Sequence, residues 1–204
     1  MIKRITLILL SFFYIINAQI RLPTFQGVHK PHTAEALCDQ SVTITTSDEG
    51  WYNPSGTHNS NNSNTATCQP QYNSWFTFDL SSFSGTACSI TLRLGLEYFS
   101  GSTKTHTIYD VSTDHDDLVA SSSGSSGITI YNDLGGGNSY SSKTVSSSDR
   151  NTVLEYTINS QGITDFNSAA GGWFSIGTAV SEGCLRFGTR MDNEISTLVI
   201  TYSN

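Results

Sequence analysis

The densest group of ionisable side chains is Asp114-His-Asp-Asp117, which offers carboxylate oxygens and an imidazole within four residues. Side chains three apart converge on a helical turn, so the run could present ligands to a cation. Carboxylates in a first helical turn also complement its positive end, and that role accounts for them without a metal. Asp48-Glu49 and Asp192-Asn-Glu194 are further acidic groups in loop-like sequence. Calcium takes six to eight oxygens, and neither group matches the spaced acidic loop that supplies them. No metal and no cofactor is therefore expected.

Nucleophilic chemistry lacks a signature. There is no G-x-S-x-G and no H-E-x-x-H. His29, His32, His58, His106 and His115 are scattered; four fall in loops or near the N-terminus, and His106 starts a strand, where it reads as a surface residue. Two glycosidase carboxylates need only approach to ~5–9 Å in space, and nothing nominates a pair. The expectation is a protein that is not an enzyme, with no catalytic residue.

Aromatic rings are the better lead. Trp51, Tyr52 and Tyr72 border a polar loop, Asn53 to Thr65, with Pro54, Gly56 and four more asparagines. Flat rings beside amides suit sugars, whose C–H faces stack on aromatics while their hydroxyls bond to amides. These three residues are the candidate ligand-binding site. Trp75 and Trp173 have apolar neighbours and read as core.

The elements that must carry these residues are mostly strands. Ser89 to Tyr98 alternates cleanly, with Ile90, Leu92, Leu94 and Leu96 on one face and Thr91, Arg93, Gly95 and Glu97 on the other. Segments 41–47, 73–80, 105–111, 152–158, 173–180, 184–188 and 197–202 carry strand patterns too. Inside the serine-rich stretch from Ser121 to Ser148, only Ile128-Thr-Ile-Tyr131 has strand character. Asp114 to Ala120 fits one helical turn capped by Thr113 or Asp114. Ser160 to Ala170 fits a helix, capped by Asn159 or Ser160 and ended by Gly171. The fold expected is an all-β, antiparallel, jelly-roll-like β-sandwich over 41–204 with one short helix. Its core should include Phe76, Phe78, Ile90, Leu92, Leu94, Ile108, Phe174, Ile176 and Leu198.

Lys3 and Arg4 precede an apolar run from Ile5 to Ile16, and Ala18 stands at a cleavage point. That is the pattern of a secretory signal peptide over 1–18, too short to span a membrane. Residues 19–40 read as an N-terminal arm. The mature chain is expected to be secreted, with no membrane partner. Charged residues make up only 13%, while 31 serines and 25 threonines supply hydroxyls instead. The net charge of −7 has no basic stripe within it, which removes the phosphate neutralisation that nucleic-acid binding needs. Asn61-Asn-Ser63 is a sequon in the polar loop. Cys38, Cys68, Cys88 and Cys184 form an even set with no C-x-x-C spacing, so two disulfides are expected in an exported chain. The pairing favoured is Cys38–Cys88 and Cys68–Cys184. In a jelly roll the first and last strands pair near one sheet edge, and Cys38 and Cys88 each begin a strand.

Several segments also carry a family likeness: Asn73-Ser-Trp-Phe-Thr-Phe-Asp-Leu-Ser-Ser-Phe-Ser-Gly85, Ser89-Ile-Thr-Leu-Arg-Leu94 and Thr107-Ile-Tyr-Asp-Val-Ser-Thr113. Asp133-Leu-Gly-Gly-Gly-Asn-Ser-Tyr140 and Gly171-Gly-Trp-Phe-Ser-Ile-Gly177 continue it in order. Together they resemble a largely uncharacterised group of exported bacterial β-sandwich proteins. At greater distance the chain is similar to DNRLRE-type jelly-roll modules attached to secreted carbohydrate-active proteins. The resemblance implies a fold and no catalytic residues. The functional expectation is a secreted, non-catalytic module that binds polysaccharide or another extracellular surface. The competing expectation is a structural or matrix component without a small ligand.

Overall fold

The computed structural model describes residues 37–60, 64–120, 122–188 and 196–204. The signal segment, most of the arm, His29, His32, the sequon at Asn61 and the acidic group at Asp192 lie outside the described residues. In chain order the strands are β1 (Gln40–Thr45), β2 (Asp48–Tyr52), β3 (His58–Asn59), β4 (Asn64–Cys68), β5 (Asn73–Asp79) and β6 (Thr86–Ser100). They continue with β7 (Lys104–Asp110), β8 (Ser139–Val145), β9 (Thr152–Thr157), β10 (Trp173–Val180), β11 (Cys184–Gly188) and β12 (Thr197–Ser203). Among the described residues, three α-helices interrupt them: α1 (His115–Val119), α2 (Gly124–Leu134) and α3 (Ser160–Ser168).

Two antiparallel sheets result. In the second, the order is β3-β2-β5-β10-β7-β8. In the first, the 15-residue β6 is long enough to serve three neighbours: β12 along 86–93, β9 along 91–96 and β11 along 96–100. Because β9 overlaps both of the others, it must occupy the opposite edge of β6. β1 pairs β12, and β4 pairs β11. Taking β1, β5, β6, β7, β8, β9, β10 and β12 in chain order, the first pairs with the last (β1–β12), the second with the seventh (β5–β10), the third with the sixth (β6–β9) and the fourth with the fifth (β7–β8). That nested pairing is the jelly roll.

The sheets bury one core between them, with Phe76, Phe78, Ile90, Leu92, Leu94, Ile108, Ile176, Phe174 and Leu198 all inside it. A second, smaller core lies on the far side of the second sheet, where α1 and α2 cover Tyr52 and Trp75 with Leu118, Ile130 and Leu134. The expectation of a single helix is thus corrected. α3 stands where expected, with the Asn159 side chain accepting from the Gly162 amide at 3.0 Å. Ile128-Thr-Ile-Tyr131, read as a strand, lies instead in α2. Its spacing of Gly127, Ile130 and Leu134 makes a helical face that docks on the sheet, and this burial overrides the β-branched preference. Disulfides join Cys38 to Cys88 and Cys68 to Cys184, the latter directly opposite each other in the β4–β11 ladder.

Candidate functional site

Tyr52 is the first correction at the site. Strand alternation turns Trp51 and Tyr52 to opposite faces of β2, and Tyr52 falls on the face that the helices cover. Its ring is fully buried, and its hydroxyl donates toward the carbonyls of Leu118 (3.1 Å) and Ala120 (3.1 Å). Burial pushes its pKa up to about 12. Tyr52 therefore belongs to the second core, and the three rings do not form one exposed platform. Trp51 and Tyr72 do meet, half-buried, with centroids 4.3 Å apart and planes tilted by 48°. Two rings at that angle make a wedge rather than a flat surface.

The exposed indole is elsewhere. Trp173, expected in the core, is 40% exposed, because it opens β10 opposite Asp79 on the outer face of the second sheet, beyond the part that α2 covers. Its neighbour Phe174 turns inward instead. Trp75, on the same outer face but under the helices, is fully buried as expected.

His115, the first residue of α1, lies flat on Trp173 with ring centroids 3.6 Å apart and planes 4° from parallel. Two carboxylates hold the imidazole there: Asp48 Oδ2 is 3.2 Å from Nε2, and Asp116 Oδ1 is 3.1 Å from Nδ1. The indole is thus backed by a ring that is itself fixed from both ends. Asp79, across the ladder from Trp173, accepts from the Ser81 amide at 2.8 Å. That hydrogen bond, with His115 nearby as a smaller cause, holds its carboxyl below the usual range.

The loop between β7 and α1 forms the rim. Asp133, on α2, accepts from the backbone amides and hydroxyls of both Ser112 and Thr113, the Thr113 hydroxyl at 2.6 Å. One carboxylate therefore pins the rim from below. The resulting cleft, about 470 Å³, runs from Val111 to Asp117 and is closed by Trp173 and Ser175. A second cleft of about 410 Å³ borders the same loop and continues along α2 past Ser122, Ser126 and Thr129. Asp114 occupies the cap position of α1, yet its side chain makes no capping bond, so the capping role expected for it is not observed. Among the described residues, no group of three or more His, Cys, Asp or Glu side chains is placed to hold a metal ion.

Two other expected residues are buried. Glu49 points between the sheets and accepts from the Ser196 hydroxyl at 3.1 Å; burial raises its pKa. His106, expected at the surface, is fully buried. Nothing in the pattern of residues marks Trp173 and His115, 58 positions apart, as a stacked pair. The one available signal was that Asp114-His-Asp-Asp117 stood on a helical turn next to a strand end.

No family model matches the chain, and no curated protein matches it. Among solved structures, it is similar to the CBM22-1–GH10 modules of endo-1,4-beta-D-xylanase 10B from Clostridium thermocellum, determined with xylohexaose. The identity is 8% and the TM-score 0.33; 81% of this chain is covered, and the chain spans 29% of that protein's length. A likeness at that level says nothing about what this chain binds.

Proposed function

We propose that this protein is an exported, non-catalytic module that binds a polysaccharide through the Trp173 cleft. One observation carries the reading: a half-exposed indole, backed by a fixed imidazole and flanked by hydroxyls and carboxylates. Sugars offer C–H faces to such a ring, and their hydroxyls donate to carboxylates and exchange bonds with serine and threonine. Two clefts along one rim suit a chain of sugar units better than a single one. The two disulfides fit an oxidising, extracellular compartment. Among the described residues, no helix is long and apolar enough to cross a membrane.

The test is retention on a panel of insoluble polysaccharides, with Trp173→Ala, Trp51→Ala and Tyr72→Ala compared against the wild type. Trp173→Ala should weaken binding by ~1 kcal/mol or more, the usual loss for a stacked anchor. Equal thermal stability of the variants makes the loss one of contact rather than of fold. Loss with Trp51→Ala alone would move the site to the Trp51–Tyr72 wedge. Retention on nothing, or retention indifferent to all three rings, would leave the matrix reading in its place.

A further inference from the structure

We propose that the Trp173 cleft sorts glycans by charge, taking amine-bearing chains such as glucosamine polymers ahead of neutral ones and rejecting uronate- or sulfate-bearing ones. The inference rests on the glycan-binding reading above and adds the class of chain that the site accepts. The starting point is the platform, since a stacking ring is what brings a sugar unit to this face. One side of the indole is occupied by His115, so a ligand must approach its remaining exposed surface. Apart from the His115 imidazole, the titratable side chains that line the cleft or flank Trp173 and its stacked ring are carboxylates. Asp48 and Asp116 hold the imidazole, Asp79 lies across the ladder from Trp173, and Asp114 and Asp117 line the cleft.

No arginine or lysine among the described residues faces Asp114, Asp116 or Asp117. Arg93 pairs with Glu155 on the first sheet, and Arg186 faces Glu97 there. Arg150 donates to the Glu97 carbonyl. Lys104, at the start of β7, donates to the Ser100 carbonyl, at the opposite end of that strand from the cleft. Lys143 sits across from His106 on β8, also toward that far end. The exposed carboxylates of Asp114, Asp116 and Asp117 in the cleft lining repel a polyanion over roughly a Debye length, about 8–10 Å in ordinary buffers. An ammonium group meets the opposite situation. It finds carboxylates at the rim and the electron-rich face of an indole, which attracts cations.

Three soluble hexamers separate the possibilities. Glucosamine and N-acetylglucosamine oligomers share one backbone and differ in charge, and a galacturonate oligomer supplies the anion. Binding to the wild type is measured by calorimetry near pH ~6, where carboxylates are ionised and an amino sugar is charged. The expected order is amine, then N-acetyl, then uronate, and the amine preference should shrink as salt rises to ~0.5 M. Asp114→Asn combined with Asp117→Asn should lower the ratio of amine to N-acetyl affinity by ~2-fold or more, since exposed ion pairs are worth roughly 1.4- to 5-fold each. Binding of the N-acetyl hexamer with uronate equal or better would overturn the charge selectivity while leaving the platform standing. An unchanged ratio in the Asn variant would overturn it too. Binding of no hexamer, together with no retention on insoluble glycans, would overturn the platform itself.

Discussion

His106 is sealed between the sheets, with its ring 5.3 Å from that of Phe187 and its Nδ1 2.7 Å from the Tyr156 hydroxyl. Burial pushes its pKa down from 6.5 to about 3, so the folded imidazole stays neutral while the unfolded one charges. The unfolded chain therefore binds one more proton through that window. Stability is fully present above pH ~6.5 and falls by up to ~1.4 kcal/mol per pH unit below it, until the folded pKa is reached. Glu49 acts with the opposite sign. Its raised pKa means that the folded carboxyl takes up a proton first, so it returns stability as pH falls toward its ordinary range. Urea unfolding at pH 7, 6 and 5 should show a steeper loss for the wild type than for His106→Phe. The variant itself should start ~1–3 kcal/mol lower at neutral pH, because it leaves the Tyr156 hydroxyl unpartnered. Parallel slopes would show that His106 titrates normally. None of this was legible in the residue alone, since His106 sits in an alternating strand whose register decides which way it faces. Trp173 makes the same point from the other side: its apolar neighbours in sequence suggested burial, but the face it shares with Asp79 is covered by α2 only farther along the sheet.

Helix α2 turns on glycine at the scale of elements. A Cβ placed on Gly127 would sit 2.1 Å from the Gly56 carbonyl oxygen, and one on Gly177 would sit 2.4 Å from that of Leu134. The helix lies almost against loop and sheet backbone, and the absence of side chains at these points lets it come so close. Gly127→Ala separates two effects by sign. Helix propensity alone would stabilise the variant by ~1 kcal/mol, whereas the contact demands that α2 and the Gly56 loop move apart. Chemical denaturation should show net destabilisation, and a gain would mean that α2 docks loosely. Strand β6 gives the complementary test. Leu92 is fully buried and paired on both sides, with Leu198 and with Tyr156, so Leu92→Ala should cost ~2–5 kcal/mol. A loss below ~0.5 kcal/mol would put that face outside the core. β6 was readable because its sheet has one wet face and one dry face, which makes hydrophobic alternation an unambiguous guide. β5 is buried on both faces, from Asn73 to Phe78 without a break, so alternation in it could not tell core from helix-covered surface. Tyr52, on the adjacent β2, shares that helix-covered face with Trp75, and nothing in its own short strand marks the face as dry.

Across the whole molecule, the hydroxyls do the work that charges usually do. On the outer face of the first sheet the register sets Ser41, Thr201 and Ser89 in one row, and Thr43, Val199, Thr91 and Thr157 in the next. A third row holds Thr45, Thr197, Arg93 and Glu155, the last two forming the face's one ion pair among these positions. A composition so low in charge thus still wets a sheet, and β-branched threonine suits a strand as well. The cost is that, among the described residues, few ion pairs lock distant parts of the chain together, and covalent bonds take over that role. Cys68–Cys184 spans 116 residues and fastens β4, which has no other partner within its sheet, to β11. Cys38–Cys88 spans 50 residues and ties the segment before β1 to β6. Loop-closure entropy assigns such bonds ~5 and ~4 kcal/mol, both comparable to the net stability of a domain. Reduction should therefore bring the unfolding midpoint down sharply, and Cys68→Ala with Cys184→Ala should cost several kcal/mol while leaving the other bond oxidised. Peptide mapping under non-reducing conditions checks the pairing directly. A peptide joining Cys38 to Cys68 would contradict the β4–β11 register, since Cys68 and Cys184 stand opposite each other in that ladder, and it would take this account of the molecule's stability down with it.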